Sequence, residues 1–220
     1  TNKNGLDGRI QELTFHRKAR VLFVHIFRTG GTSVNDFARA QGAEHRTHME
    51  ESQKVLRKLW FDDYFLRAAI IRDPLDRALS AFHEVKCRTN PEENCTKSIS
   101  DRRDRNILQY EFRQMLYEIG RHNYAMPSGY HFWPQTKFLC DARGKKRPID
   151  YLGRFENLAL EAKFIFPFRG SMGHALAGEG FRLNRSMLTE EDTLAVCRAY
   201  LDDFCCFGYE LPEVCKRQYS

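Results

Sequence analysis

The six consecutive residues Arg28-Thr29-Gly30-Gly31-Thr32-Ser33 have the types and spacing of an anion cradle. Two glycines let a backbone curl so that successive N–H groups face one point. Thr32 and Ser33 open a helical pattern that runs to about Ala40, and a helix N-terminus adds its positive dipole end. The hydroxyls of Thr32 and Ser33 add donors, and Arg28 adds fixed charge. Such a loop holds a phosphate or sulfate group; the alternative is an ordinary strand–helix turn whose glycines allow tight packing. It is not a Walker A loop, because the G-x-x-x-x-G-K-[ST] spacing and its Lys are missing. A second basic site follows the apolar run Leu66–Ile71: Arg72 ends that run, and Ser80 comes eight residues later. Strand C-termini converge on the ligand crevice of an open parallel sheet. Two anion sites of this kind suit a nucleotide with two separated phosphate positions. The alternative is a solvated Arg72 paired with Asp73 or Asp76.

The elements that must position these residues can be read from hydrophobic periodicity. Arg20–Phe27 and Leu66–Ile71 are continuous apolar runs too short for helices, so both predict buried strands. Asp73 can cap a helix whose first position is Pro74 and whose inner face is Leu75, Ala78, Leu79, Phe82 and Val85. Asp104 to about Arg121 predicts a helix with Ile107, Leu108, Phe112, Met115, Leu116 and Ile119 inward. Further helices are predicted over Glu51–Trp60 and Asn157–Phe166, and from Thr189, a capping box, to about Phe204. Phe138–Cys140 and Ile149–Gly153 read as short strands around a basic turn, Arg143–Arg147. Residues 1–19 read as polar and irregular, 41–52 as polar and His-rich with no strand assigned, and 168–188 as a loop. Strands alternating with helices predict an α/β fold with a central, mostly parallel sheet. It would form one domain over 20–220 behind an irregular segment 1–19.

Composition narrows the class. With 17 Phe, 9 Tyr and 2 Trp the chain has ample core for its 220 residues, which excludes disorder. A net charge of +6 favours an anionic ligand without requiring nucleic acid. No apolar stretch reaches the roughly 18 residues that span a bilayer. Of 7 cysteines, Cys87 and Cys95 bracket a polar segment that a disulfide could close. A second bridge is expected among Cys205, Cys206 and Cys215; the alternative is buried reduced thiols. Asn94 and Asn184 begin N-x-[ST] sequons, and Asn94 is the better glycosylation candidate. Disulfides and sequons together point to a secretory lumen.

Taken together, Phe27–Ser33 resembles the 5′-phosphosulfate loop of sulfotransferases that use 3′-phosphoadenosine 5′-phosphosulfate (PAPS), and Ile70–Ser80 resembles their 3′-phosphate segment, R-D-P-x-x-R-x-x-S. Pro134-Gln135, Asp150–Leu158, Leu183–Ser186 and Asp203–Tyr209 extend the likeness, in order, to the Golgi carbohydrate sulfotransferases that include heparan and chondroitin enzymes. The resemblance implies a P-loop-like three-layer α/β fold, PAPS as donor, 3′,5′-ADP as product and no metal. It implies that Arg28, Thr29, Gly30, Gly31, Thr32 and Ser33 hold the phosphosulfate, Arg72 and Ser80 the 3′-phosphate, and Arg185 and Ser186 a segment closing on the nucleotide. The family loop usually carries Lys at Arg28; Lys is a compact donor where Arg is a bidentate fork.

Related enzymes carry a catalytic His between the first helix and the second strand, where this chain has Glu44-His45-Arg46-Thr47-His48. His48 is the expected base, with His45 supporting it or binding acceptor, and Glu50 or Glu51 in reserve. His25 is expected in the core, and His131 either beside the acceptor or packed. The acceptor is expected to be an anionic or neutral glycan. Arg143–Arg147 and Arg102-Arg103 offer it a basic surface or are simply solvated. The expected location is the Golgi lumen, through a type II anchor outside the sequence, with the cytoplasm as the alternative. Sulfation of protein tyrosine or a small hydroxyl compound, a P-loop kinase, and a non-catalytic glycan-binding module are the rival functions.

Overall fold

The computed structural model describes residues 12–47, 49–89, 102–121, 129–141, 144–168 and 183–219. They form two compact units, Thr1–Arg72 with Gln135–Leu176, and Asp73–Pro134 with Ala177–Ser220. Among the described residues no helix is long and apolar enough to cross a membrane.

The first unit is built on a five-stranded mixed sheet. Its strands are β1 (Glu12–His16), β2 (Val21–Val24), β3 (Glu44–Thr47), β4 (Leu66–Ile71) and β5 (Tyr151–Arg154), in the order β3-β1-β2-β4-β5. β2, β4 and β5 pair in parallel, with Phe23 opposite Ala68 and Ile70 opposite Gly153. β1 runs antiparallel to both β2 and β3. The α/β expectation holds, and two of the three parallel strands, β2 and β4, are those that read as continuous apolar runs.

All four residues of β2 are buried, because helices cover the sheet. Val21, Phe23, Ala68 and Ile70 pack with Val34, Phe37 and Ala38 of α1 (Gly31–Arg39), and with Ala162 and Ile165 of the helix Leu158–Ile165. Leu22, Val24, Ala69 and Ile71 alternate to the other side and are buried too. α2 (Gln53–Trp60) is capped by Ser52, whose Oγ accepts the Val55 N–H at 3.4 Å.

Three expectations need correction here. Segment 1–19 is not all irregular, since Glu12–His16 is β1 and joins β2 through a tight turn with Arg20 at φ 55°. Polar residues 44–47 form β3. Phe138–Cys140 is not a strand: Gln135–Phe138 is helical, and Cys140 makes only an isolated bridge to Lys146.

The second unit is helical. α3 (Pro74–Thr89) begins where Asp73 Oδ1 accepts the N–H groups of Leu75 at 2.9 Å and Asp76 at 3.1 Å, the cap its sequence predicts. α4 (Arg102–Gly120) and α7 (Glu190–Phe207) pack against it, counting Gln135–Phe138 as α5 and Leu158–Ile165 as α6. Leu75, Leu79 and Phe82 meet Leu108, Phe112, Leu116, Val196 and Phe204, with the Phe82 and Phe112 rings 5.4 Å apart. Ile107, expected inward, is exposed. The capping box at Thr189 and Asp192 is present, and Gly208 ends α7 in the left-handed region.

α8 (Glu213–Tyr219) is tied back to α7 by a disulfide between Cys197 and Cys215. The expected C-terminal bridge thus exists, but with Cys197 as the partner; Cys205 and Cys206 are exposed free thiols. Cys87 is disulfide-bonded as well, and its expected partner Cys95, like the Asn94 sequon, lies outside the described residues. With 18 residues between its ends, the Cys197–Cys215 bridge should contribute about 3 kcal/mol by limiting the unfolded chain. The double substitution Cys197→Ala/Cys215→Ala is expected to lower the unfolding free energy by that amount and so to lower the denaturation midpoint. A midpoint that does not move would show that α8 is held by packing alone.

Candidate functional site

β2 leads through His25-Ile26-Phe27 into a turn and then α1. Arg28 sits at φ 69°, a left-handed conformation that costs a non-glycine residue on the order of 1 kcal/mol. Thr29 is fully buried, and its hydroxyl donates to the Ile26 carbonyl at 2.8 Å, so that side chain braces the turn from inside. Gly30 follows at φ 81°; a β-carbon there would stand 2.7 Å from Leu158 and 3.0 Å from Phe155. Gly31 has ordinary φ, but a β-carbon on it would lie 1.8 Å from the His25 ring. Thr32 is exposed and Ser33 buried. The N-cap of α1 is Gly30, which makes no side-chain cap hydrogen bond.

β4 delivers Arg72 to the same place. Its Nη1 donates to the Arg28 carbonyl at 3.4 Å, and its guanidinium lies 4.1 Å over the Phe155 ring. The fully buried Gln135 side chain clamps the Arg72 backbone, accepting its N–H at 2.8 Å and donating to its carbonyl at 2.9 Å. The Pro134-Gln135 and Asp150–Leu158 motifs thereby acquire physical roles. Gln135 sets the exit of β4, while Phe155 and Leu158 wall the loop.

Beneath the loop lies a polar cluster drawn from β1, β2, α1 and β3. The Glu12 carboxylate contacts His25 Nδ1 directly and stands 3.8 Å from His45 Nε2. The Thr14 hydroxyl donates to Asn35 Oδ1 at 2.8 Å and lies 2.8 Å from His45 Nδ1. Thr14 therefore links Asn35 to His45, with the direction of the His45 contact set by the imidazole tautomer. Asn35 Nδ2 approaches His25 Nδ1 at 3.2 Å. Burial pushes the His45 imidazole below its ordinary value; Glu12 pulls the other way, and the positive fields of His25 and Arg39 reinforce burial. His25 is in the core as expected. His48 lies outside the described residues, Glu50 is exposed, and Glu51 pairs with Arg46 at 3.7 Å. Among the described residues no group of three or more His, Cys, Asp or Glu could hold a metal ion.

The second unit carries Ser80, Arg185 and Ser186. Arg185 is held by Asp73 and by Asp76, each at 2.6 Å, which raises its pKa through the Asp76 hydrogen bond first. Ser186 donates to the Asn184 side chain at 2.7 Å, and Asn184 itself is exposed. Ser80 is half-buried on α3. The other arginine of the R-D-P-x-x-R pattern, Arg77, is structural: it is 1% exposed, donates to the His131 carbonyl at 3.3 Å, and lies in the fields of Tyr200 and Asp203. His131 is buried, which supports packing over acceptor contact.

Residues that sequence reasoning missed are Glu12, Thr14, Asn35 and the clamping role of Gln135. Glu12, Thr14 and Asn35 are polar residues whose partners lie on other elements, and Gln135 was marked only by the Pro134-Gln135 motif, without a role.

The fit between Gly31 and His25 is testable. Gly31→Ala should destabilise the protein by about 1–3 kcal/mol through overpacking. In a His25→Ala background the same change should be neutral or stabilising, since Ala favours helix over Gly. Equal penalties in both backgrounds, measured by denaturant unfolding, would show that the ring does not dictate the glycine.

Searches among curated proteins and among solved structures each returned no match. The family model described as "Sulfotransferase family" matches residues 11–193, from β1 through the loop, Arg72 and Gln135 to the start of α7. With most of its length matched over these elements, the chain belongs to the sulfotransferase family.

Proposed function

We propose that this sulfotransferase moves the sulfuryl group from PAPS to a hydroxyl of a carbohydrate acceptor, in the Golgi lumen, as the catalytic part of a membrane-anchored protein. The observation that carries the reading is the uncapped amino end of α1, with Arg28 in its turn and Arg72 bonded to the same turn. Backbone N–H groups, a helix dipole and two guanidinium groups fit a phosphosulfate. Arg28 to Ser33 are assigned the phosphosulfate, with Thr29 contributing through its backbone because its hydroxyl is engaged internally. Arg72 and Ser80 are assigned the 3′-phosphate, and Arg185 and Ser186 the closing segment; Arg185 would have to exchange Asp73 and Asp76 for the nucleotide.

In the reaction the acceptor oxygen bonds to sulfur, the bond from sulfur to the bridging phosphate oxygen breaks, and 3′,5′-ADP leaves. The acceptor proton passes to a base. Arg28 and the loop N–H groups stabilise negative charge growing on the leaving phosphate. His48 is assigned the base and His45 a supporting role. The approach of Glu12 to His45 favours a second reading, in which the His45 imidazole takes the proton and Glu12 stabilises the imidazolium.

The donor assignment predicts that 3′,5′-ADP at about 100 times its Kd stabilises the protein by about 2.7 kcal/mol. ADP should be weaker, and ATP with magnesium ineffective. Stabilisation by ATP–magnesium alone would replace the transferase reading with the kinase one. Arg28→Ala should weaken 3′,5′-ADP binding by about 10- to 100-fold, as loss of a charge-assisted contact implies.

His48→Ala is expected to lower kcat by about 10²- to 10⁴-fold while 3′,5′-ADP affinity persists. If His45 is the base, the loss follows His45→Ala instead. Its depressed pKa then keeps it neutral and competent below pH 6.5, so the acid limb of kcat falls only at still lower pH. Neither variant losing turnover would sink both assignments. Screening saccharide, tyrosine-peptide and phenol acceptors with labelled donor decides the acceptor class.

A further inference from the structure

A second basic site lies in the first unit, away from the phosphate loop. The loop stands where the chain leaves β2, and Arg72 where it leaves β4. This second site flanks the chain as it enters β4 and β5. Here Arg57 and Phe61, at the end of α2, face Asp141, Lys145, Lys146 and Arg147 across a cavity of about 500 Å³. That volume is within the range of small-ligand clefts.

The walls are braced rather than loose. The Asp141 N–H donates to the Lys145 carbonyl at 2.8 Å, and Asp141 Oδ1 accepts the Lys145 N–H at 2.9 Å. Arg147 is buried to 6% exposure, donates to the Phe138 carbonyl at 3.2 Å, and lies 5.0 Å over the Trp60 ring. Trp60 in turn donates to the Pro148 carbonyl at 3.0 Å. The one acid lining the cleft, Asp141, already spends an oxygen on its own turn.

Arg57, Lys145 and Lys146 are exposed and pair with no carboxylate among the described residues. Positive charge is therefore in excess. Burial first, and then the nearby Arg57, work against the charged form of Arg147; Asp141 works for it, and a bound anion would act in the same sense. Phe61, 55% exposed, presents a flat apolar face among these cations.

We propose that this cleft binds an acidic saccharide, the cations taking its carboxylate or sulfate groups and Phe61 stacking on the apolar face of a sugar ring. It is an exosite, gripping a polymeric acceptor at a distance from the transferring group. The choice of a saccharide over other polyanions rests on the carbohydrate sulfotransferase reading; the choice of an anion does not.

The test is titration of the whole chain with a sulfated, uronate-containing hexasaccharide at two salt concentrations, alongside a neutral hexasaccharide. The acidic one should bind, more weakly at higher salt, and the neutral one should not. Lys145→Ala/Lys146→Ala should weaken binding at least about 10-fold and flatten the salt dependence, and Phe61→Ala should weaken it by about 5-fold. These exposed positions should leave the melting temperature and the 3′,5′-ADP stabilisation unchanged. Equal affinity in wild type and variants would overturn the site. A poly-glutamate peptide that binds more tightly, with the same dependence on Lys145 and Lys146, would overturn the saccharide. Failure of 3′,5′-ADP to stabilise the wild type speaks against the donor reading, and it is read separately from the saccharide titration.

Discussion

At the turn from β2 into α1, a β-carbon on Gly31 would stand 1.8 Å from His25, and one on Gly30 would stand 2.7 Å from Leu158. The turn is squeezed between a ring below and α6 above, and most of the first unit contributes to that squeeze. β1 supplies Glu12, which holds the His25 ring in place. β5 leads into Phe155 and Leu158, which press on the turn from the other side. Arg72 is stacked on that same Phe155 and bonded to the turn's carbonyl. Glycine at both positions keeps the backbone of the turn free of side-chain bulk, as close approach of an anion to its N–H groups requires.

The same constraint accounts for what the sequence made legible. β2 and β4 are buried on both faces, so they read as unbroken apolar runs, and the loop between β2 and α1 reads from its glycines. α3 and α7 read from Asp73, Pro74 and the Thr189 box, because capping is local chemistry. β1 and β3 escaped because their inner residues are polar. Glu12, Thr14 and His45 are satisfied by one another and by His25 and Asn35, and such a cluster has no period until the strands pair. The role of Gln135, though not its motif, escaped for a related reason: its partner is a backbone 63 residues away. Ile107 was misplaced because a single position at the edge of a helical stripe turns on the exact packing of its neighbours.

The candidate site was legible as two motifs, each of which admitted a bland alternative. Folding removed part of that ambiguity. The glycines do allow tight packing, as the ordinary-turn alternative held, and they also leave α1 uncapped. Packing and anion binding are therefore not competing explanations of the same residues. The crowding that demands glycine is also what keeps a side chain from capping the helix.

The surplus of positive charge divides unevenly among the arginines. Arg77 is buried, and its neighbours Tyr200 and Asp203 favour its charge, so it serves the core of the second unit. Arg185 is already engaged by two carboxylates, and any anion it receives must displace them. The contacts of Arg72 with the Arg28 carbonyl and the Phe155 ring are of another kind. A peptide oxygen and a π face orient a guanidinium without neutralising it. Arg147 is held in the same way, by the Phe138 carbonyl and the Trp60 ring. Cations held by neutral groups keep their field for a ligand, whereas cations held by acids have largely spent theirs. On this distinction the net charge of +6 matters less than the partners each cation has.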